Sequence, residues 1–376
     1  MIEILSDNIV SPLGTTSEEN YLNVKAGNTG IRTYDSIFGI NHQVSCSKID
    51  DTLIDDEFAS VVGNEPNYTR LEKLMLVSAT KAIDKAGIDV SRDNVRFYLS
   101  TTKGNVGLLD EGKYNDEKLF LGNTANLLSN HFNNKLRPTI VSNACISGVG
   151  AIITACREIV SGRIDYAVVT GVDVLSRFVV AGFSSLMALS IEPCRPFDIE
   201  RNGLNLGEAA ATIVLGRADK NSKNVKFLNG SIRNDAYHIS GPSRTAEGAV
   251  NALTDILKDF DKEQIAFVNT HGTATIFNDE MESIAIERLG ISHKPINAFK
   301  GYYGHTLGAA GVLEVVLSKH SILDNTVLKT FGYQRLGTSR KIMPTSENII
   351  TDKCYFVKLI SGFGGTNAAA LFKKEV

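Results

Sequence analysis

The chain has 376 residues and a formal net charge of −3, with 43% hydrophobic and 22% charged residues. That balance is ordinary for a globular protein and gives no support for nucleic-acid binding or a basic membrane-surface segment. The length suits one large domain or two packed halves with ample core. Five cysteines, Cys46, Cys145, Cys156, Cys194 and Cys354, lie scattered without CxxC spacing. The odd count and the spacing argue against a disulfide framework and a structural zinc site, and the expectation is no metal. The opening residues, Met1-Ile2-Glu3-Ile4-Leu5-Ser6-Asp7, lack the basic and apolar segments of a signal peptide. No apolar run reaches the length of a membrane span, so a reducing cytoplasm is the expected setting.

In chain order, residues 2–10 read as a strand closed by the turn Ser11-Pro12-Leu13-Gly14. A short helix starts at Ser17-Glu18-Glu19, and residues 31–67 read as polar surface loops with one short helix. From 69 to 86, Leu71, Leu74, Met75, Ala79, Ala82 and Ile83 recur at helical spacing, with Gly87 as the stop. Residues 95–101 predict a strand and 123–132 a helix. Then comes Pro138-Thr139-Ile140-Val141-Ser142-Asn143-Ala144-Cys145, followed by small and apolar residues. This reads as a buried strand, a tight elbow and a buried helix with Cys145 at its N-terminus, where unpaired N–H groups favour the thiolate. Position alone favours a packed core thiol, and residues far downstream reverse that balance.

Further strands are expected at 166–170 and 209–215, a helical or coiled stretch at 183–189, and a loop at 192–205. The charged stretch 218–225 is the most linker-like, and it divides the chain into residues 1–220 and 221–376. The second part repeats the alternation. Strands are predicted at 225–230, 265–270, 295–300, 354–360 and 368–372, helices at 246–259, 279–289 and 307–323, and a glycine turn at 362–365. Asp279 and Glu282 have the spacing of a capping box. Strands alternating with helices, many wholly apolar, predict an α/β fold with a mostly parallel sheet covered on both faces. No short repeat is visible in the sequence.

Three apolar strands end in chemistry. One leads to Cys145, one through Phe267-Val268-Asn269-Thr270 to His271, and one through Ile296-Asn297-Ala298-Phe299 to Lys300 and His305. In α/β sheets, sites form beyond the carboxyl ends of strands, so these residues are expected to converge. His42, His131, His238, His293 and His320 read as surface or hydrogen-bonded residues, whereas His271 and His305 each stand beside glycine. A thiolate and two neutral imidazoles suit acyl transfer, with a nucleophile and donors for a developing enolate or oxyanion. They also suit a Cys/His/His zinc site, which lacks a convincing fourth ligand here. The hairpin Gly362-Phe363-Gly364-Gly365-Thr366-Asn367 reads as a tight turn or as N–H groups aimed at an oxyanion. It lacks the surroundings of a phosphate loop.

At this point the residues resemble the elongating β-ketoacyl-acyl-carrier-protein synthases, condensing enzymes of the thiolase superfamily. The likeness runs through Asn143-Ala144-Cys145-Ile146-Ser147-Gly148, Thr270-His271-Gly272-Thr273-Ala274-Thr275 with Asn278-Asp279 and Glu282, Lys300 with Gly304-His305-Thr306-Leu307-Gly308, and the hairpin 362–367. Val10-Ser11-Pro12-Leu13-Gly14, Arg195-Pro196-Phe197-Asp198 and Gly207-Glu208 add to it, in family order along the whole chain.

The resemblance implies a five-layered αβαβα thiolase-like fold of two similar halves, the first carrying the nucleophile and the second the two histidines. It implies no cofactor, and acyl carrier protein, in acyl and malonyl forms, as partner. A homodimer or a ketosynthase/chain-length-factor heterodimer is the implied assembly. Cys145 is expected to carry an acyl group, and His271 and His305 to hydrogen-bond the malonyl thioester and assist loss of CO2. The resulting enolate would attack the acyl-Cys145 thioester and give a 3-oxoacyl-carrier product, in fatty-acid or polyketide and polyene synthesis. Decarboxylation makes the carbanion without a strong base, so neutral donors suffice.

The same resemblance implies an ion pair of Lys300 with Glu314 behind the histidines. It also implies an oxyanion hole and acyl gate from Cys145, Phe363 and Gly364, and substrate contacts from Thr273, Thr275 and Phe363. Departures from the pattern are Ile146-Ser147 after the nucleophile, Gly301, the bulky Tyr302-Tyr303, and a shorter stretch before the nucleophile. The segment from Lys300 through Gly311 resembles synthases of aryl-polyene and related pigment clusters. Two alternatives stand beside this reading: a non-catalytic chain-length-factor-like subunit, which usually lacks the nucleophile, and a thiolase-like acyltransferase using coenzyme A.

Overall fold

A computed structural model describes residues 1–64, 67–219 and 222–375. Of the eleven strands described in the main sheet, ten make the framework, and the eleventh is the two-residue edge strand Met343–Pro344. Those of the first half are β1 (Ile2–Val10), β2 (Val95–Ser100), β3 (Thr139–Val141), β4 (Tyr166–Asp173) and β5 (Ala209–Arg217). Those of the second are β6 (Val225–Asn234), β7 (Ile265–Asn269), β8 (Pro295–Asn297), β9 (Tyr355–Gly362) and β10 (Thr366–Lys374).

The first half is ordered β1-β5-β4-β2-β3 and the second β6-β10-β9-β7-β8. Strand directions match one for one. β2 runs parallel to β3 and β4, and β7 runs parallel to β8 and β9. β5 is antiparallel to β1 and β4, and β10 to β6 and β9. The chain is thus a mixed α/β fold of two similar halves, a repeat carried by topology and invisible in the residue string. Ile2 opposite Phe227 and Glu3 opposite Lys226 join the two sheets edge to edge. The sequence-based boundary between 220 and 221 lies outside the described residues.

The expected mostly parallel sheet is corrected to a mixed one. β9 and β10 are joined by a three-residue hairpin loop in which Gly364 (φ 83°) and Gly365 (φ 72°) take the left-handed backbone. So short a link admits only an antiparallel pair.

Five layers follow from the helices. Arg70–Ala86 covers the outer face of the first sheet. It is capped by Thr69 with Glu72 and stopped by Gly87 in the left-handed region. Glu247–Leu257 and Ile276–Arg288 stack on one another on the far side, the former against the second sheet. Between the sheets lie the helices Ser147–Val160 and Ala310–Leu323, in corresponding positions of the two halves. They touch backbone to backbone. A Cβ on Gly148 would come within 2.7 Å of the Val312 nitrogen, and one on Gly311 within 2.5 Å of the Val149 nitrogen. Their flanks bury Val149, Ile152, Ile153, Val312, Leu313 and Val316 in the central core.

Of the stretch 31–67, residues 31–64 hold strands as well as the expected short helix. Arg32–Tyr34 and Val44–Ser47 form a small sheet with Leu206–Gly207, and Asp51–Val61 is a helix. Alternation is hard to see in strands this short. The stretch 183–189, expected to be helical or coiled, is both: 183–185 end the helix Arg177–Ser185 and 186–189 are turn and irregular chain. Lys300, expected at a strand end, opens the short helix Lys300–Tyr303. Among the described residues no helix is long and apolar enough to cross a membrane.

Candidate active site

The topological repeat explains where the site falls. Cys145 follows β3 and precedes the central helix of the first half. His305 follows β8 and precedes the central helix of the second. Because those helices touch at Gly148 and Gly311, the two elbows face each other. His305 Nε2 lies 2.9 Å from the Cys145 sulfur. His271, just past β7, stands edge-on to His305 with ring centroids 5.0 Å apart. All three ligand-type atoms lie within 4.8 Å of one another.

The elbow that presents Cys145 is strained. Ala144 has φ 47°, a conformation that costs a non-glycine residue about 1–2 kcal/mol. Ser147 holds it there. Its hydroxyl donates to the Ala144 carbonyl at 2.6 Å and accepts from the Asn143 N–H at 2.8 Å. Gly362 presses against the other side, where a Cβ would lie 3.0 Å from the Cys145 nitrogen. The next residue, Phe363, turns its backbone N–H toward the sulfur.

The expected thiolate is corrected at rest. Cys145 stands just before the helix, whose first residue is Ser147, and only 7% of it is exposed. Burial pushes the thiol up to about 11, with the Lys300 charge and the Phe363 N–H opposing.

His305 is fixed by its backbone and by its ring. Its N–H donates to the Asn205 carbonyl at 2.7 Å, and its carbonyl accepts from the Gly207 N–H at 3.1 Å. The small sheet missed in the sequence carries Leu206–Gly207 to this contact. The ring Nδ1 accepts the Leu307 N–H at 3.2 Å. In a neutral imidazole that leaves the proton on Nε2, facing the sulfur. Asp173 anchors the same loop by accepting from the Gly308 N–H at 2.7 Å, and Thr101 and Thr102 saturate the rest of its carboxylate.

The loop carrying His271 is gripped by two acids, and here the capping-box expectation is corrected. The helix begins at Ile276 with Thr275 as N-cap, so Asp279 and Glu282 lie inside it and are fully buried. Glu282 accepts from the His271 and Gly272 N–H groups, each at 2.7 Å. Asp279 accepts from Thr273 at 3.1 Å and from Phe197 at 2.7 Å. Burial raises Asp279 to about 6, and burial with the Asp279 charge raises Glu282.

Behind the imidazoles Lys300, 1% exposed, pairs with Glu314 at 2.8 Å and donates to the His271 carbonyl at 2.6 Å. The ion pair that the resemblance implies is thus a buried one. A second buried lysine, Lys358, also pairs with Glu314 and was missed in the sequence. Its signal was a lone cation inside the apolar run Tyr355-Phe356-Val357-Lys358-Leu359-Ile360. Burial, Lys300 and Lys358 hold both histidines well below their ordinary range, with His305 adding to the effect on His271. Both rings are neutral at pH 7. Metal-bound imidazoles usually donate their second N–H to an acceptor. His305 Nδ1 instead accepts an N–H, and His271 Nδ1 has no partner among the described residues. The donor set fits hydrogen bonding better than metal ligation.

Cys145, His271 and His305 open into one cavity of about 360 Å³, also lined by Thr273, Thr275 and Phe363. Thr273 and Thr275 share a 2.8 Å hydroxyl contact. Phe363 stacks on Phe183 at 5.8 Å and is 40% exposed. The Gly364 N–H is engaged by the Ile239 carbonyl at 2.7 Å, whereas the Phe363 N–H of the same hairpin is turned to the sulfur.

A buried thiol facing two neutral imidazole donors, with a backbone N–H beside the sulfur, is apparatus for acyl transfer through a cysteine thioester. Comparison with known proteins agrees. Residues 1–221 match the family model for the β-ketoacyl synthase N-terminal domain, and 226–334 that for its C-terminal domain. A 3-oxoacyl-[acyl-carrier-protein] synthase 2 of Vibrio cholerae is 27% identical over 97% of each chain. The ishigamide ketosynthase/chain length factor structure superposes with TM-score 0.88 at 23% identity, covering 100% of this chain and 99% of that one. A ketosynthase in complex with its chain length factor from Xenorhabdus doucetiae gives 0.85 at 24%, covering 100% and 98%. The chain belongs to the β-ketoacyl synthase family. It is an enzyme, a synthase with a Cys-His-His site for Claisen-type acyl condensation.

Proposed function

We propose that this chain condenses an acyl group held on Cys145 with malonyl-acyl-carrier protein and yields 3-oxoacyl-carrier protein. One observation carries the reading: the sulfur and two neutral imidazoles face a single cavity. In the first half-reaction the Cys145 thiol displaces the carrier thiol from an acyl thioester and loses its proton. The Cys145 and Phe363 N–H groups stabilise the oxyanion of that addition. In the second, the malonyl thioester loses CO2, and its carbonyl oxygen takes the negative charge between the Nε2 donors of His271 and His305. The enolate carbon then attacks the acyl-Cys145 carbonyl, the C–S bond breaks, and the sulfur regains a proton. Thr273, Thr275 and Phe363 contact the incoming substrate, and Phe363 gates the acyl pocket. Lys300 and Glu314 support the histidines from behind. Acyl carrier protein delivers both substrates, and the chain pairs with a second ketosynthase-type chain, either its own copy or a chain-length factor.

Intact-mass measurement after incubation with a panel of acyl-carrier thioesters tests the first step. One acyl group gained by the wild type and none by Cys145→Ala is expected. Condensation that survives Cys145→Ala would overturn the mechanism. For the second step, His305→Ala is expected to lower malonyl decarboxylation by about 100-fold or more, the usual scale for one lost oxyanion donor. An unchanged rate removes its assigned role.

A further inference from the structure

Lys358 lies in the middle of β9 and is fully buried. Its ammonium donates to Asn269 Oδ1 at 2.7 Å and to the Thr270 carbonyl at 3.2 Å, and it shares Glu314 with Lys300. Lys300 takes the next carbonyl, that of His271. Two successive carbonyls leading into the imidazole loop are thus held by two buried cations, while Glu282 holds the two N–H groups on its other side. A buried salt bridge needs one cation per carboxylate, and a second ammonium in a dry site is costly unless it does further work.

We propose that Lys358 is a second positioning residue of the site: it clamps the strand end that carries His271 and leaves the cluster behind the two imidazoles with one net positive charge. That excess charge opposes protonation of both rings and keeps their Nε2 groups as neutral donors. The inference rests on the function proposed above.

The surrounding charges are consistent with this assignment. The two imidazoles face each other, Cys145, and the ammoniums of Lys300 and Lys358. Lys358 faces Glu314 from the helix Ala310–Leu323 and Glu282 from the helix Ile276–Arg288. Glu282 is itself faced by Asp279 and is pushed toward its neutral form by burial and by that charge. Burial and Lys300 draw the Lys358 ammonium down from the ordinary lysine value, while Glu314 holds it up.

The test is a charge-compensation series read by pH profile. In Lys358→Met the cluster becomes Lys300 with Glu314, net zero. The acidic limb of malonyl-carrier decarboxylation should then move up by about one pH unit, the scale of one nearby charge. In the double variant Lys358→Met, Glu314→Gln the net charge returns to plus one, and the limb should return toward the wild-type position even if the rate stays low. A residue serving only as a hydrogen-bond strut would lower both variants alike and leave both limbs in place, which overturns the proposal. A second measurement reads the wild type itself: NMR titration of the imidazoles, assigned with His271→Gln and His305→Gln. Neither ring should take a proton near the ordinary histidine value, since burial and the two ammoniums oppose it. Protonation of either near the ordinary histidine value overturns the charge argument. A wild type that decarboxylates no malonyl thioester sinks the proposed function instead, and the imidazole titration, repeated on Lys358→Met, then decides the case of Lys358: rings that titrate alike in both proteins overturn it.

Discussion

Cys145 holds its proton because the protein takes it out of water faster than the local dipoles can compensate. The neighbouring ammonium of Lys300 and the Phe363 N–H both favour the thiolate, but burial outweighs them. The proton is therefore given up during reaction, when the incoming thioester supplies an electrophile and the leaving carrier thiol an acceptor. The expected consequence is a thiol that alkylates slowly at neutral pH. Its iodoacetamide rate should climb about tenfold per pH unit without a plateau until about pH 11. A plateau near neutral pH would show a resting thiolate and contradict this account. The cysteine and both histidines were legible in the residues, because each ends an apolar strand beside glycine or other small residues. Asp279 and Glu282 were visible too, but their spacing pointed to a helix cap. Their real partners, the N–H groups of His271, Gly272, Thr273 and Phe197, include residues from a loop some eighty positions away.

Among the elements, the two central helices decide the geometry, and glycine decides the helices. Helix interiors ordinarily avoid glycine, which costs about 1 kcal/mol against alanine. Here Gly148 and Gly311 let two backbones meet, and that contact sets the distance between the Cys145 and His305 elbows. Gly311→Ala would place a Cβ 2.5 Å from the Val149 nitrogen, with no flexible atom to yield. It should destabilise the fold by about 1–3 kcal/mol or more and reduce acylation of Cys145, as judged by thermal melting and intact mass. Gly182, in the helix Arg177–Ser185, has open space around its would-be Cβ. Gly182→Ala should raise stability by up to about 1 kcal/mol. Equal effects of the two substitutions would remove the argument from close approach. Nearly every long element was readable from hydrophobic period and capping residues. The strands Arg32–Tyr34 and Val44–Ser47 were not, since three or four residues give no period to read.

Across the whole molecule the halves are bound by ions as well as by apolar packing. Asp7 on β1 reaches Lys319 and His320 on the central helix of the other half. Burial pushes its carboxyl up, but Lys319 and His320 together hold it far below the ordinary value near 3.8. A depressed carboxyl contributes stability above its unfolded value and loses that contribution as the pH falls through and below 3.8. Asp7→Asn should therefore cost about 3–5 kcal/mol at neutral pH, since it leaves Lys319 buried without its partner. Its stability should also fall less steeply than the wild type's below pH 3.8 in acid unfolding followed by circular dichroism. Parallel acid limbs in the two proteins would refute this.

Local chemistry was enough to determine most of the long strand and helix segments, the α/β class and the three reactive side chains, because hydrophobic period, turn residues and nucleophile type are all short-range properties. The tertiary structure alone decided that the strand directions of the two halves match one for one, that the helices touch at two glycines, that the resting thiol is protonated, and that a second lysine stands behind the histidines. Those depend on which atoms lose their water and which distant charges they meet, and neither is written in the spacing of residues along a chain.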